Sequence, residues 1–273
     1  MTLPAPHPDR KADHLRIAAE PGAVGAAQTG LEALRLRHRA LPERDLAEVD
    51  LTTELLGVRL RAPIFVSAMT GGTAEAERIN HDLARAAAEH GVALTLGSGR
   101  PLLDDPDLLR TYRSAARPPL LLANLGAAHL ACALAPSLNL LLAARALQGV
   151  GAAMLLALAP LPVVVKEVGF GMDPADVALL RDAGVAAVDV AGAGGTNWAT
   201  IEGRRNPRAS AVAAAFDDWG VPTAEAVRAA VSVAPGLPVI ASGGIRDGVE
   251  AAKCLALGAV AAGLARPFLL AAQ

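Results

Sequence analysis

The feature that most constrains the fold is a series of short apolar runs, each of which ends in small or polar residues. Seven such runs follow one another along the chain, and the motifs that end them are SAMTGG, LGSGR, ANLG, KEVGFG, AGAGGTNW, ASGG and LARP. Buried strands that end in glycine, serine, threonine or asparagine are typical of parallel barrels, whose loops hold a ligand at the carboxyl ends of the strands. The pattern therefore predicts an α/β fold, a TIM (β/α)8 barrel with one ligand site.

The length and the absence of a linker predict a single domain over residues 1–273. Residues 1–60 form an N-terminal extension with a short helix over 10–20, and residues 61–273 form the barrel. A hairpin is predicted over 51–64, with its turn near Gly57.

The barrel pattern alternates strands with amphipathic helices, and it is irregular in two places. Between Gly126 and Val163 there are too few residues for a helix, a strand and a second helix, so the barrel is expected to be irregular around strand 4. After Pro267 only a turn or two of helix fits, so most of the last helices are expected to be lacking. A polar loop is predicted over 204–210. The predicted strands are 63–68, 92–96, 120–124, 163–166, 186–190, 239–242 and 260–264, and the helices are 75–89, 105–113, 174–183, 223–232 and 248–257.

Composition and charge exclude several classes of protein. The formal net charge of −2 argues against nucleic acid as a partner, because binding to the phosphate backbone needs a concentrated basic surface. The apolar stretch around Arg145 is long enough to span a membrane, but polar residues and prolines interrupt it, so no membrane association is expected. The first sixteen residues lack the apolar core of a signal peptide. Cys132 and Cys254 match no zinc spacing and are predicted to be reduced thiols of a cytoplasmic protein.

Two loops near the end of the chain have the composition of a phosphate site. Glycines let backbone N–H groups approach an anion, a following helix N-terminus favours negative charge, and an arginine adds donors. The alternative is a pair of tight turns, which any barrel needs. The residues of this predicted phosphate site are Ser242, Gly243, Gly244, Arg246, Ala265 and Arg266.

Lys166 ends a strand of valines, where a cation is unfavourable unless it faces the ligand. It could neutralise an anionic ring system or form a Schiff base. The alternative is a structural ion pair with Glu167 or Asp189.

Other candidate residues are weaker, because each has an ordinary structural explanation. Ser98 and Arg100 resemble an anion site, and Arg10 with Lys11 could form a flexible basic lid, although exposed cations are usually only solvated. His14 is a lone histidine, expected to serve packing or to lie at the surface. No Ser–His–Asp set, metal cluster or close carboxylate pair is visible, so the reactivity is predicted to come from a cofactor.

With these motifs in order, preceded by RKADH, the chain resembles the type 2, FMN-dependent isopentenyl-diphosphate isomerases over residues 10–126 and 162–267. The resemblance implies an FMN-binding barrel that converts isopentenyl diphosphate into dimethylallyl diphosphate with reduced FMN as the acid–base group. It also implies Mg²⁺, NADPH as the nicotinamide reductant, and a homotetramer or homo-octamer.

The resemblance also implies roles for individual residues. The flavin would be lined by Ala68, Met69, Thr70, Ser98 and Asn124. Lys166 would lie beside its pyrimidine ring, and Thr196 would contact the ribityl-phosphate arm. The flavin phosphate would be held by Gly243, Gly244, Arg246, Ala265 and Arg266. The substrate diphosphate would be bound by Arg10, Lys11, Ser98, Gly99 and Arg100.

The chain departs from the family pattern in its middle segment. The family has a glutamine that touches the reacting carbons and a glutamate that holds Mg²⁺, and Leu142 and Ala143 stand at those positions. No protein ligand for a metal is therefore predicted, and two alternatives stay open. One is a catalytically impaired FMN-binding barrel of the same lineage. The other is an FMN-dependent hydroxy-acid oxidoreductase, which needs a histidine near the flavin, whereas no histidine follows Lys166.

Overall fold

The structure, a computed structural model, describes residues 7–37, 45–124, 162–206 and 210–272. Nine strands are present in these ranges: β1 Thr53–Leu55, β2 Val58–Leu60, β3 Ile64–Val66, β4 Ala93–Ser98, β5 Leu121–Asn124, β6 Val164–Lys166, β7 Ala187–Asp189, β8 Val239–Ser242 and β9 Ala261–Leu264. The α-helices are α1 His7–Ala19, α2 Ala74–His90, α3 Pro101–Asp104, α4 Pro174–Asp182, α5 Trp198–Arg205, α6 Ser210–Ala214, α7 Thr223–Val233, α8 Gly248–Ala256 and α9 Arg266–Ala271. Short 3-10 helices lie at Pro21–Ala23, Leu31–Ala33, Leu46–Glu48 and Pro106–Tyr112.

Seven of the strands form one parallel sheet with the order β5-β4-β3-β9-β8-β7-β6. The first barrel strand pairs with the last, since Phe65 of β3 lies opposite Gly263 of β9 and, on its other side, opposite Ala93 of β4. The pairing of the first strand with the last, the parallel strands and the helices between them make the fold a TIM barrel, as predicted. The edge strands β5 and β6 flank residues 125–161, so the predicted irregularity around strand 4 lies outside the described residues.

The hairpin β1–β2 closes the amino-terminal end of the barrel. Leu55 and Leu60 from the hairpin pack against Phe65, Ala93 and the first residues of the neighbouring strands. The ring of Phe65 fills the space beside Gly263, where a Cβ atom would lie 2.3 Å from the ring. The amino-terminal end is thus filled with apolar side chains, which leaves the carboxyl end of the barrel for a ligand.

Helices on the outside complete the core in two groups. Val177 of α4, Val227 of α7 and Cys254 of α8 are buried against one side of the sheet. In the second group, Ile79 of α2 packs with residues of α1 and α9. The N-terminal helix is therefore part of the barrel's apolar packing, and no described helix has the length and apolar character needed to cross a membrane.

The structure confirms the predicted strands and most of the helices, and it corrects two elements. Arg204 and Arg205 are not in a polar loop but in the last turn of α5, which begins after the cap Asn197, whose side chain accepts a bond from Thr200 N at 3.1 Å. Ile201, fully buried, fixes this helix against α1. The helix predicted over 105–113 is a 3-10 helix, Pro106–Tyr112, preceded by α3. The last described helix, α9, has six residues, which is the turn or two that was expected near Pro267.

Candidate functional site

A cavity of about 540 Å³ lies at the carboxyl ends of the strands. Its walls come from the loops after β3, β6, β7, β8 and β9 and from helix α1. Twelve of the residues predicted for the site line it: Lys11, Ala68, Met69, Thr70, Lys166, Thr196, Ser242, Gly243, Gly244, Arg246, Ala265 and Arg266. The remaining predicted residues are Arg10, Ser98, Gly99, Arg100 and Asn124, and they are not among its lining residues.

A buried ion pair lies in the floor of the cavity. Lys166 of β6 is in register with Asp189 of β7, and Lys166 Nζ lies 3.1 Å from Asp189 Oδ2. The ammonium also donates to Ser242 Oγ at 3.1 Å, and that hydroxyl donates to Asp189 Oδ1 at 2.6 Å. Asp189 and Ser242 are buried, while 27% of the Lys166 side chain stays exposed. The lysine is therefore both a structural partner of Asp189 and a fixed cation that faces the cavity.

The alternative partner of Lys166, Glu167, is engaged elsewhere. One oxygen of its carboxylate accepts hydrogen bonds from the backbone amides of Gly169, Phe170 and Gly171, at 2.5, 2.6 and 3.1 Å. Glu167 thus holds the loop after β6 in place.

The glycine loops after β7 and β8 contact each other through their backbones. Gly243 and Gly244 have φ values of +102° and +71°. A Cβ atom on Gly243 would lie 2.0 Å from the carbonyl oxygen of Gly192, and one on Gly244 would lie 2.4 Å from that of Gly194. Only glycine fits at this contact, which brings backbone groups of both loops to the cavity wall.

The two arginines of the predicted phosphate site already have partners within the protein. Arg246 Nε donates to Glu250 Oε1 at 2.9 Å, and hydrogen bonding and charge attraction from Glu250 raise the pKa of the guanidinium. Arg266 donates to the backbone oxygens of Ala18 and Ala19, at 3.3 and 3.0 Å, and so satisfies carbonyls at the end of α1. A guanidinium has five donors, so both could also bind a phosphate.

The N-terminal helix brings Lys11 to the cavity, with the cations Arg10 and Arg100 nearby. Lys11 lines the cavity, and within the described residues it has no hydrogen-bond or ion-pair partner. Burial, followed by the charges of Arg10 and Arg100, lowers the pKa of Lys11. The sequence suggests that Arg10 could belong to a flexible basic lid. The structure instead places Arg10 in helix α1, where it is bound to Glu202. A half-buried, unpaired ammonium close to two other cations indicates an anion site.

Thr70 supplies an unpartnered polar atom at the cavity. The residue is 1% exposed, and its Oγ1 has no hydrogen-bond partner among the described residues. Its backbone is held by Asn80, whose side-chain amide donates to Thr70 O at 3.1 Å. Buried hydroxyls are normally hydrogen-bonded, so Thr70 Oγ1 fits a polar group of a bound ligand.

Ser98 and Asn124 lie side by side at the ends of β4 and β5, where the amide of Gly99 donates to the carbonyl of Asn124 at 2.8 Å. The ring of Tyr112 supports this edge, and its hydroxyl donates to Ser98 O at 2.7 Å.

Sequence reasoning missed Glu202 and Trp198 and treated His14 as a packing or surface residue. In the structure His14 lines the cavity, lies 2.9 Å from Glu202 Oε1 and meets the Trp198 ring edge-on at 5.3 Å. Two features of the sequence could have pointed to these residues. The spacing of Arg10 and His14 puts both on one face of a helix, and Asn197 is a residue that can cap the helix carrying Trp198 and Glu202. No group of His, Cys, Asp and Glu in the described part of the chain could hold a metal ion.

Fold and site together define a TIM barrel with one cavity, whose lining includes Lys166 paired with a buried aspartate, the glycine loops after β7 and β8, and Lys11 of helix α1. The sequence profile of the family described as FMN-dependent dehydrogenase matches residues 8–101 and 142–273. The isopentenyl-diphosphate delta-isomerase of Stutzerimonas stutzeri is 47% identical to the chain, with 97% of this chain and 85% of the relative covered. That of Xanthobacter autotrophicus is 46% identical, with 96% and 85% covered. The chain therefore belongs to the FMN-dependent dehydrogenase family, in the group of the isopentenyl-diphosphate delta-isomerases.

Solved structures share the fold at low sequence identity. A flavocytochrome b2 mutant with benzoylformate superposes with a TM-score of 0.64 at 18% identity, covering 95% of this chain and 72% of that one. An oxidised active mutant of (S)-mandelate dehydrogenase gives a TM-score of 0.59 at 19% identity, with 95% and 86% covered. These likenesses establish the barrel fold.

Proposed function

We propose that this protein isomerises isopentenyl diphosphate to dimethylallyl diphosphate, with FMN bound in the cavity at the carboxyl ends of the strands. The observation that carries the proposal is one cavity of about 540 Å³ with a glycine cradle and the ammonium of Lys11, which has no partner among the described residues, in its wall. Such a cavity accommodates a phosphate-bearing cofactor and an anionic substrate together. The relatives at 47% and 46% identity carry the name of this activity.

The residues present fit FMN. Thr70 Oγ1 needs a hydrogen-bond partner, and a flavin ring over the β3 loop, with Ala68 and Met69, would provide one. Lys166 would lie beside the pyrimidine ring, where its fixed ammonium stabilises negative charge. Ser98 and Asn124 would border the ring from the ends of β4 and β5. The ribityl-phosphate arm would be held by Thr196, Gly243, Gly244, Arg246, Ala265 and Arg266. When bound and reduced, the flavin supplies the acid–base group for the reaction.

The protein's own cations would hold the diphosphate at the mouth of the cavity. Lys11 is half-buried and has no counter-ion in the part of the chain that the structure describes, which is unfavourable until an anion pairs with it. Arg10 and Arg100 lie close enough to Lys11 to lower the pKa of Lys11, and Ser98 with Gly99 precedes Arg100. Once the diphosphate is fixed by these groups, the apolar lining, which includes Met69 and Trp198, would surround the hydrocarbon part and exclude water.

Mg²⁺, NADPH, a cytoplasmic location and a homotetramer or homo-octamer complete the proposal. Because the described residues provide no metal cluster, Mg²⁺ would arrive with the diphosphate, whose oxygens are its preferred ligands. NADPH would reduce the flavin before the reaction. The buried thiol of Cys254, which forms no disulfide within the described residues, fits a reducing compartment.

The test is anaerobic conversion of isopentenyl diphosphate by the protein saturated with reduced FMN, with and without Mg²⁺. Dimethylallyl diphosphate above the level of the protein-free control is the expected result. Bound flavin without product would favour the impaired barrel, since Leu142 and Ala143, which lie outside the described residues, replace the family's glutamine and glutamate. Reduction of bound FMN by a 2-hydroxy acid would instead indicate the oxidoreductase.

A further inference from the structure

Glu202 of α5 is bound to three cationic or titratable side chains, two of which come from helix α1. Glu202 Oε1 accepts from Arg10 Nε and Nη2 at 3.1 and 2.5 Å, and it lies 2.9 Å from His14 Nε2. Its second oxygen accepts from Arg205 Nε at 3.0 Å. Arg10 and His14 are one helical turn apart, so a single carboxylate binds two successive turns of α1.

This contact is placed to orient the anion site. Lys11 follows Arg10 directly and projects into the cavity, while His14 lines the cavity and packs edge-on against Trp198 of α5. Arg10 donates from Nε and Nη2 to Glu202, and within the described part of the chain its Nη1 group has no partner, so it can donate to a ligand. The carboxylate thus fixes the rotation of α1 and the plane of the Arg10 guanidinium at once.

We propose that Glu202 is a positioning residue of the diphosphate site, which holds Arg10, His14 and the first turns of α1 in the arrangement that binds the anion. This inference rests on the proposed function, because it takes the diphosphate as the ligand. A ligand that meets cations already held in place loses less side-chain freedom on binding. Without Glu202, Arg10 and Lys11 would have to be ordered by the diphosphate itself.

A different role of Glu202 would change the affinity for diphosphate in the opposite direction. If Glu202 only neutralised Arg10 and kept it from the ligand, its removal would strengthen diphosphate binding. The two roles are therefore separated by the direction of one change in affinity.

The chain offers a matched control in Glu20, which also ties α1 to α5. Glu20 accepts from Arg204 Nη1 at 3.2 Å and from Arg16 Nη1 at 3.1 Å, and it contacts none of the cations at the cavity. Glu20→Gln therefore loosens the same helix without touching the site. A general effect of weakening α1 would appear in both variants.

The experiment measures binding of inorganic diphosphate to the FMN-loaded protein by calorimetry. Glu202→Gln is expected to raise the Kd about tenfold, which is about 1.4 kcal/mol, whereas Glu20→Gln changes it by less than about twofold. Glu202→Asp, which keeps the charge, should recover part of the affinity. Since Glu202 is not among the described residues that line the cavity, KM for isopentenyl diphosphate should rise by a similar factor while kcat stays within about twofold.

Unchanged or tighter binding in Glu202→Gln overturns the proposal, as does equal weakening in Glu20→Gln. No measurable binding of diphosphate to the unsubstituted protein also overturns it. Should Glu202→Gln not fold, Glu202→Asp decides alone, since a shortened carboxylate that cannot reach both turns must still raise the Kd. Failure of the proposed function is a different result: diphosphate binds and responds to Glu202, but no dimethylallyl diphosphate forms.

Discussion

Tyr112 shows how one buried side chain can support a loop of the site. Its hydroxyl donates to the carbonyl of Ser98, and its ring fills the space beside Gly71, where a Cβ atom would lie 2.0 Å from the ring. Burial raises the pKa of Tyr112 to about 12. The phenol is therefore neutral, and a donor, at every pH at which the protein could work.

Tyr112→Phe should remove this hydrogen bond and leave the Ser98 carbonyl unsatisfied, at a loss of about 1 kcal/mol in the free energy of unfolding. Urea denaturation at pH 8 measures this loss. The pKa lies at 10.0 in the unfolded chain and at about 12 in the folded one, so the stability from the neutral phenol is present below pH 10 and is lost as the pH rises towards 12. The difference between the two proteins should therefore shrink over that range. A constant difference would argue against a buried neutral phenol.

At the scale of elements, the glycines in the loops after β7 and β8 allow the backbones of the two loops to pack closely against each other. Gly195 shows the same restriction as Gly243 and Gly244, because its Cβ atom would lie 2.4 Å from the amide nitrogen of Gly244. The close approach of the two loops lets both reach one side of the cavity. Their glycines are therefore required by the fold even before any phosphate is bound.

Gly243→Ala and Gly236→Ala separate backbone strain from steric overlap. Both glycines have positive φ, +102° and +85°, but an alanine at 236 would meet nothing within 4 Å, whereas one at 243 would overlap the Gly192 carbonyl. Gly236→Ala should cost about 1–2 kcal/mol, and Gly243→Ala about 1–3 kcal/mol more. Urea denaturation without FMN measures both, and a flavin titration should show weakened binding only for Gly243→Ala. Equal losses of stability would mean that the loops can separate.

The elements that the sequence predicted well are those with a local signature. Strand ends at Lys166 and Ser242 follow from an apolar run that stops at small or charged residues, and the cavity lies at those ends. Helix α5 was missed because it has only eight residues, too few for a clear period, and Glu202 with its neighbouring arginines gives it the composition of a loop. The contact of Glu202 with Arg10 joins positions 192 residues apart, and such a pair leaves no signal in a single sequence.

At the scale of the whole molecule, the N-terminal helix is attached to the barrel by both apolar and ionic contacts. Leu15 is buried with α2 and α9, while Arg266 binds the carbonyls at the end of α1 and Glu202 binds its middle. The helix forms one wall of the cavity, so the ligand site is complete only when the helix is packed against the barrel. Conditions that weaken the ionic contacts should therefore act on stability and on ligand binding together.

Acid provides the test of this coupling, because it removes the charge of Glu202. Burial opposes ionisation of this carboxyl, but hydrogen bonds from Arg10 and Arg205 outweigh it and lower the pKa from 4.5 to about 2. A depressed pKa means that the stability contributed by Glu202 is fully present above pH 4.5 and is lost as the pH falls towards 2. The Tm of the unsubstituted protein should thus exceed that of Glu202→Gln at pH 6, and the two should converge between pH 4.5 and 2.

Glu20→Gln serves again as the control, because the ion pairs of Glu20 with Arg16 and Arg204 are exposed and exposed pairs contribute little to stability. Its difference from the unsubstituted protein should be small at every pH. Scanning calorimetry from pH 6 downwards measures all three proteins in the same buffers. If the gap between the unsubstituted protein and Glu202→Gln stays constant down to pH 3, or if it widens, the ionised carboxylate does not attach α1 to the barrel. A gap that closes in step with weaker diphosphate binding would instead tie the acid sensitivity of the fold to the anion site that α1 completes.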